Sequence, residues 1–154
     1  MTVATFNKIQ LASEMFAEAH DRYTSARRDI DYISSILLSG AVVGIVGPLL
    51  KEQGGRTMHE TLARIGNLIA EPGEEASHEG IFREIYNSLK HTGNKNKNIP
   101  PSNDLEIQTD LKKEAAHMLD AAKHDFREIE ALPQVRESLS KEFLSLLEAD
   151  KDYA

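Results

Sequence analysis

The stretch IFREIYNSLKH, residues 81–91, carries polar side chains at a spacing that could support chemistry on a phosphodiester. Wound as a helix at about 100° per residue, it separates an apolar face from a polar face. The polar face consists of Arg83, Asn87, Lys90 and His91, with Tyr86 beside them. Histidine exchanges protons near neutral pH, and arginine can hold a phosphate with two hydrogen bonds. This face would suit metal-independent cleavage of RNA, in which a base takes the 2′-hydroxyl proton and cations stabilise the charge on phosphorus.

The same stretch begins a local excess of positive charge. Between Arg83 and Lys97 the only acid is Glu84, whereas four cations are present, two of them in the loop that follows the helix. We expect Lys90, Lys95 and Lys97 to contact RNA phosphates. The alternative interpretation is an ordinary solvated surface, since exposed polar faces are the rule in globular proteins. Periodicity by itself does not choose between the two.

Other catalytic and metal-binding arrangements find little support. The chain has no cysteine, which excludes disulfides, thiolate zinc sites, iron–sulfur clusters and a cysteine nucleophile. It also lacks the Gly-x-Ser-x-Gly motif of a hydrolase triad. Glu114 and His117 have the spacing of a di-iron ligand pair, but no second such motif accompanies them. We therefore predict no metal site and no cofactor, and we place three isolated histidines on the surface: His20, His59 and His78.

Apolar residues recur at three- and four-residue steps along nearly the whole chain, which predicts a single all-α domain over residues 1–154. We expect a bundle of five to six helices at 4–24, 28–52, 57–71, 75–92, 104–131 and 134–149, with a loop at 92–103. Thr57 and Glu60 match the capping box of the third helix, and Asn103 offers a cap for the fifth. The apolar residues of the third helix are Leu62, Ile65, Leu68 and Ile69.

The second helix contains 19 residues without a formal charge, at positions 32–50. That length just reaches the ~20 apolar residues that span a bilayer. Because three serines, three glycines and a proline dilute the segment, we predict a buried central helix and no membrane contact. The N-terminus has no signal-peptide pattern, and we expect a cytoplasmic protein. Small residues four apart on this helix let another helix approach closely, either inside the same chain or across a homodimer seam: Ser35 and Ser39, and Gly40 and Gly44.

The net charge of −7 is concentrated in the last third of the chain, where residues 99–154 carry 7 basic and 13 acidic side chains. A uniformly basic nucleic-acid clamp is therefore excluded. The acidic end would instead suit a basic partner protein.

Three segments together resemble a HEPN domain: GPLL at 47–50, YNSLKH at 86–91 and EAAHMLDAAKHDF at 114–126. The likeness spans most of residues 4–130, and it is strongest to a bacterial group that reads Arg-Asn-x-Leu-Lys-His at the second segment. The resemblance implies a helical bundle of bacterial or phage origin that pairs about a two-fold axis. Many HEPN domains are metal-independent ribonucleases of toxin–antitoxin or defence systems.

Position by position, the resemblance would make His91 the HEPN histidine and Asn87 the polar residue after the arginine. Tyr86 stands at the arginine position itself, and Arg83 is the nearest substitute, with seven residues between it and His91. The acidic pair that relatives often carry in helix two is replaced by Val42 and Val43. Three functions are left open. The first is a protein that binds RNA through the polar face of the fourth helix, with a version in which it acts as a metal-independent endoribonuclease. The second is an inactive HEPN-like module that binds an antitoxin-like or basic protein, and the third is a purely structural dimer.

Overall fold

The computed structural model describes residues 2–149 and 152–153, and within these ranges the chain is all helical with no β-strand. This confirms the all-α prediction. The α-helices are α1 (Lys8–Thr24), α2 (Asp29–Glu52), α3 (Met58–Ile69), α4 (Glu84–Lys90), α5 (Leu111–Ile129), α6 (Pro133–Arg136) and α7 (Lys141–Glu148). Two short 3₁₀ turns accompany them at Glu79–Arg83 and Pro101–Asn103.

The centre of the bundle is α2, which packs along both α1 and α5. Ile36, Val42 and Val46 on this helix are completely buried. The hydroxyl of Ser35 donates to the carbonyl of Ala19 on α1 at 2.9 Å, so this buried polar group is satisfied between the two helices. By length and composition α2 is long and apolar enough to cross a membrane, yet half of its most apolar window is buried inside the bundle. A core helix has the same character.

Aromatic side chains join α1 and α5 to the C-terminal part of the chain. The ring of Phe143 on α7 packs edge-on against Phe16 of α1, at 5.9 Å between centroids, and against Phe126 of α5, at 4.9 Å. Beyond α7, the hydroxyl of Tyr153 lies 2.7 Å from Nδ1 of His20 on α1. Through these contacts the C-terminal part of the chain packs against α1, near the other end of the sequence.

Two predicted helices start later than the sequence suggested. The first begins at Lys8 instead of residue 4, because Asn7 caps it, and Phe6 before it is 69% exposed. The fifth begins at Leu111 instead of 104, because the carboxylate of Asp110 accepts the N–H of Lys113 and supplies the cap expected from Asn103. Residues 104–110 have no helical structure.

Two other predicted helices are broken. The segment 75–92 forms the 3₁₀ turn Glu79–Arg83 followed by the seven-residue α4. The segment 134–149 divides into α6 and α7, and Ser140 caps the second of these by accepting the N–H of Phe143. Pro48 lies inside α2 at an exposed position, and the helix continues past it to Glu52.

Candidate functional site

Tyr86 fastens α4 to the core. Its side chain is buried, and its ring lies directly on Gly40 in the middle of α2. A Cβ atom at position 40 would collide with this ring, so the glycine is what lets α4 approach α2. The residue at the expected arginine position therefore has a packing contact that an exposed catalytic side chain would lack.

Two of the predicted site cations flank the ring of Tyr86. The guanidinium carbon of Arg83 lies 5.1 Å from the ring centroid and the ammonium of Lys90 lies 4.0 Å from it, both at cation–π distances. Arg83 is half-buried and directs Nη2 toward the carbonyl of Gly40, at 3.4 Å. Lys90 is exposed. The structure thus brings Arg83, Tyr86 and Lys90 together through the aromatic ring.

Asn87 and His91 lie apart from that group. Both side chains are exposed, and among the described residues neither makes a side-chain hydrogen bond or an ion pair. His91 follows the last residue of α4, and its backbone N–H donates to the carbonyl of Asn87 at 3.1 Å. The helix therefore ends at His91 and leaves its imidazole in solvent.

Lys95 and Lys97 are held in a compact turn. Asn94 and Ile99 exchange two backbone hydrogen bonds across it, of 2.8 and 2.9 Å. The ammonium of Lys97 lies 3.4 Å from a carboxylate oxygen of Glu84, which places the turn beside α4. We use the name cationic edge for the exposed residues of α4 and this turn: Asn87, Lys90, His91, Lys95 and Lys97.

The predicted core face of α3 is wrong. Ile65, Leu68 and Ile69 are 49%, 85% and 76% exposed, whereas the buried residues of this helix are His59 and Ala63. The start of α3 is held against its neighbours, since Met58 contacts Asp125 of α5 and His59 contacts His117 of α5 and the ring of Phe82. An apolar strip on α3, formed by Ile65, Leu68 and Ile69, therefore faces solvent. The buried side of this helix contains a histidine, His59, instead of these large apolar residues.

His59 was predicted to lie on the surface and is instead almost completely buried, at 2% exposure. Its Nε2 lies 3.1 Å from Nε2 of His117 on α5, with the two rings nearly parallel. The ring of Phe82 stacks on the pair, 5.7 Å from that of His59. Burial lowers the pKa of His59 to about 4, with further contributions from the charges of His117 and Arg83. The buried imidazole is therefore neutral around pH 7.

A small cleft of about 110 Å³ lies between α2, the start of α3 and the first 3₁₀ turn. Its polar lining comes from Lys51, Thr57, His59, Glu79 and Arg83, and its other wall is formed by α2 at 43–48. Two buried nitrogens of this lining have no hydrogen-bond partner: Nδ1 of His59 and Nε of Arg83.

Asp125 on α5 fixes the start of α3. Its side chain is completely buried, and Oδ1 accepts the backbone N–H of Met58 at 2.8 Å. The same oxygen lies 3.0 Å from Nδ1 of His124, and this contact raises the pKa of His124. The carboxylate thus sets the position of the residue next to His59.

His117, the second residue of the Glu114–His117 spacing, lies against His59, which is 58 residues earlier in the chain. Within residues 2–149 and 152–153, no group of three or more His, Asp or Glu side chains is placed to hold a metal ion. A larger open groove of about 680 Å³ runs along α5 and shares no lining residue with the small cleft. Its lining mixes both signs of charge, including Asp120, Lys123, Arg127 and Glu128.

Sequence reasoning therefore missed the cleft around His59. A usable signal exists in α3, because His59, Ala63 and Gly66 recur at steps of four and three with small side chains after the histidine. Small residues on one helix face permit close approach of a neighbour. The prediction instead placed the larger apolar residues of the other face in the core.

Comparison with known proteins finds no protein-family model, no curated protein and no solved structure that matches this chain. The HEPN resemblance accordingly stays a prediction.

Proposed function

We propose that this protein binds single-stranded RNA through the cationic edge, as a HEPN-like helical protein. The observation that carries the proposal is the exposure of Lys90, Lys95 and Lys97 on α4 and the adjoining turn of a chain whose net charge is −7. In an acidic protein, a local group of exposed cations is the part of the surface that attracts a polyanion.

The arrangement of the turn supports this proposal. Because Asn94 and Ile99 close the turn, Lys95 and Lys97 are presented on a defined backbone beside α4. Glu84 is the acid that contacts this group, and its ion pair with Lys97 is exposed at 3.4 Å. An exposed pair of this kind contributes little free energy, so a phosphate can replace the carboxylate.

A catalytic form of the proposal assigns the proton transfer to His91. Its exposed imidazole is available as general acid or base, while Asn87 and Lys90 would orient and neutralise the phosphodiester. Tyr86 is buried against Gly40 and Arg83 turns toward α2, so neither joins His91 in one chain. In this catalytic form Lys90 is the cation beside His91 within one chain, and a homodimer would add the cations of a second copy.

The test is RNA binding by fluorescence anisotropy at two salt concentrations. If three phosphates are contacted, affinity for a single-stranded oligonucleotide falls about 20-fold between about 50 and 200 mM salt. The variant K90Q/K95Q/K97Q loses at least about tenfold in affinity at the lower salt. The matched control K8Q/K112Q/K141Q removes three exposed lysines elsewhere and binds like the wild type.

Equal losses in the two triple variants, or no binding by the wild type, would overturn the RNA proposal. The same mixtures, incubated with a chelator and run on a gel, test cleavage separately. Cleavage that disappears in H91A supports the catalytic form, whereas binding without cleavage limits the function to RNA binding.

A second candidate rests on the apolar strip of α3. Ile65, Leu68 and Ile69 form an exposed row that would suit docking of another protein. Replacing Leu68 with Lys would abolish such an association, measured as a change in oligomeric state or partner capture, without altering RNA affinity.

A further inference from the structure

We infer that the small cleft between α2, α3 and the first 3₁₀ turn binds a single phosphate-sized oxyanion through Arg83, His59 and Thr57. Its volume of about 110 Å³ suits one phosphoryl group and is too small for a nucleoside. The ligand class is inorganic phosphate or the phosphoryl end of a monoester whose organic part extends into solvent. This site is separate from the cationic edge, and it does not depend on RNA binding.

The first argument is the pair of unpartnered donors. Nδ1 of His59 and Nε of Arg83 are both buried, both residues line the cleft, and neither nitrogen has a hydrogen-bond partner. Buried polar atoms are almost always paired, so two unpartnered nitrogens on residues that line one cleft are an argument for a polar ligand there. An oxyanion can accept from both, and it complements the charge of Arg83.

The second argument is the connection between His59 and His117. Their Nε2 atoms are 3.1 Å apart, so one ring must donate and the other accept. When His117 donates, the neutral ring of His59 carries its hydrogen on Nδ1 and becomes a donor to the cleft. The proposal requires this tautomer pair, in which Nε2 of His117 donates and Nε2 of His59 accepts.

The start of α3 adds a further favourable contribution. Thr57 caps this 12-residue helix by accepting the N–H of Glu60 at 3.2 Å, which leaves its hydroxyl hydrogen able to donate. The positive end of the helix dipole lies at the same place. On the opposite wall, a Cβ at Gly47 would approach the methyl group of Thr57 to 3.3 Å. Glycine at this position keeps the wall close to the threonine without closing the cleft.

The charges around the cleft also favour an anion. Lys51 and Glu79 line the cleft and pair with each other at 2.6 Å. This pair is neutral overall, and the buried His59 is neutral, so Arg83 leaves the cleft with a net positive charge. The ammonium of Lys51 is partly exposed, so it can also turn toward an incoming phosphate.

The experiment is an imidazole ¹⁵N NMR titration of the whole chain with inorganic phosphate, at fixed pH and at an ionic strength held constant with chloride. We expect a saturable shift of Nδ1 of His59, with half-saturation below about 5 mM. R83Q weakens this binding at least about tenfold. The control R64Q removes an exposed arginine of α3 that lies outside the cleft, and it titrates like the wild type.

A parallel titration with glycerol phosphate distinguishes the two ligand classes, free inorganic phosphate and a phosphomonoester. Tighter binding of the ester supports a phosphomonoester ligand, and tighter binding of inorganic phosphate supports the free ion. The inference is overturned if neither probe gives a saturable shift in the wild type, or if R64Q loses affinity as much as R83Q. The absence of a saturable shift in the wild type is enough to overturn the inference. The test therefore remains valid even if a variant fails to fold.

Discussion

Nε2 of His59 and Nε2 of His117 lie 3.1 Å apart in the interior between α3 and α5. One ring must be an acceptor for this contact to be a hydrogen bond, so the pair holds together only while at least one of the two imidazoles is neutral. Protonating both would place two N–H groups and two positive charges against each other. Burial and the charges of His117 and Arg83 consequently lower the pKa of His59 to about 4.

The first prediction concerns stability against acid. The pKa of His59 is lower in the folded chain than in the unfolded chain, where it is about 6.5. The unfolded state therefore takes up the proton first as the pH falls. This contribution to the free energy of unfolding is complete above about pH 6.5 and is lost between about 6.5 and 4, by at most about 3 kcal/mol. Urea denaturation at several pH values across this window measures the loss.

The matched comparison is H59Q against H91Q. We expect H59Q to have a flatter pH dependence, because it lacks the imidazole whose pKa falls on folding. H91Q should keep the wild-type profile, because the side chain of His91 is exposed in the folded chain. His124 works in the opposite direction, since Asp125 raises its pKa and its contribution to stability is lost as the pH rises. Identical slopes in the wild type and H59Q would contradict the assignment.

The second prediction concerns Asp125, which holds the first residue of α3. Replacing it with Ala removes the acceptor of the Met58 N–H and leaves that donor without its partner. We expect the free energy of unfolding to fall by about 1–3 kcal/mol. Hydrogen exchange should become faster mainly in α3, because this helix has few other contacts with the bundle.

The control for this change is D125N, which retains an oxygen at the same place and should lose less stability. Hydrogen exchange that increases uniformly over α1, α2 and α5 as well would show that Asp125 supports the whole core. It would then have no special relation to α3.

The central helices and the position of α3 with its Thr57 cap could be predicted from the sequence, whereas the buried face of α3 could not. In α1 and α5 the buried residues, such as Phe16 and Phe126, follow the helical period closely, so the pattern alone indicates the core face. In α3 the large apolar residues occupy the exposed side, and the face is chosen by His117 and Asp125 from α5. No local pattern contains a contact made across 58 residues of sequence.

The residues of the candidate site also fall into two groups, those predictable from helical spacing and those that depend on contacts with distant parts of the chain. Helical spacing correctly placed Asn87 and Lys90 in solvent, because exposure depends on the period of the helix. The burial of Tyr86 was missed, since it depends on the absence of a side chain at Gly40, 46 positions earlier in another helix. The start of α5 was misplaced because Asn103 and Asp110 are both suitable caps, and only the fold selects Asp110.

The third prediction uses two glycines of α2 that lie one turn apart. In G40A the new Cβ would collide with the ring of Tyr86, so α4 must move or the ring must leave its site. We expect a loss of about 1–3 kcal/mol in the free energy of unfolding, despite the better helix propensity of alanine. In G44A the new Cβ meets only Arg83, at an ordinary contact of 3.7 Å from Nη2. That variant should gain up to about 1 kcal/mol.

Thermal or urea unfolding measures the stability of the two variants. A double-mutant cycle that combines G40A with Y86A then tests the origin of the cost. If the cost of G40A arises from the ring, adding G40A to Y86A costs almost nothing, because the space next to position 40 is already empty. A cost that persists in the double variant would place its origin in α2 itself. The close approach of α4 to α2 would then not depend on the contact between Gly40 and Tyr86.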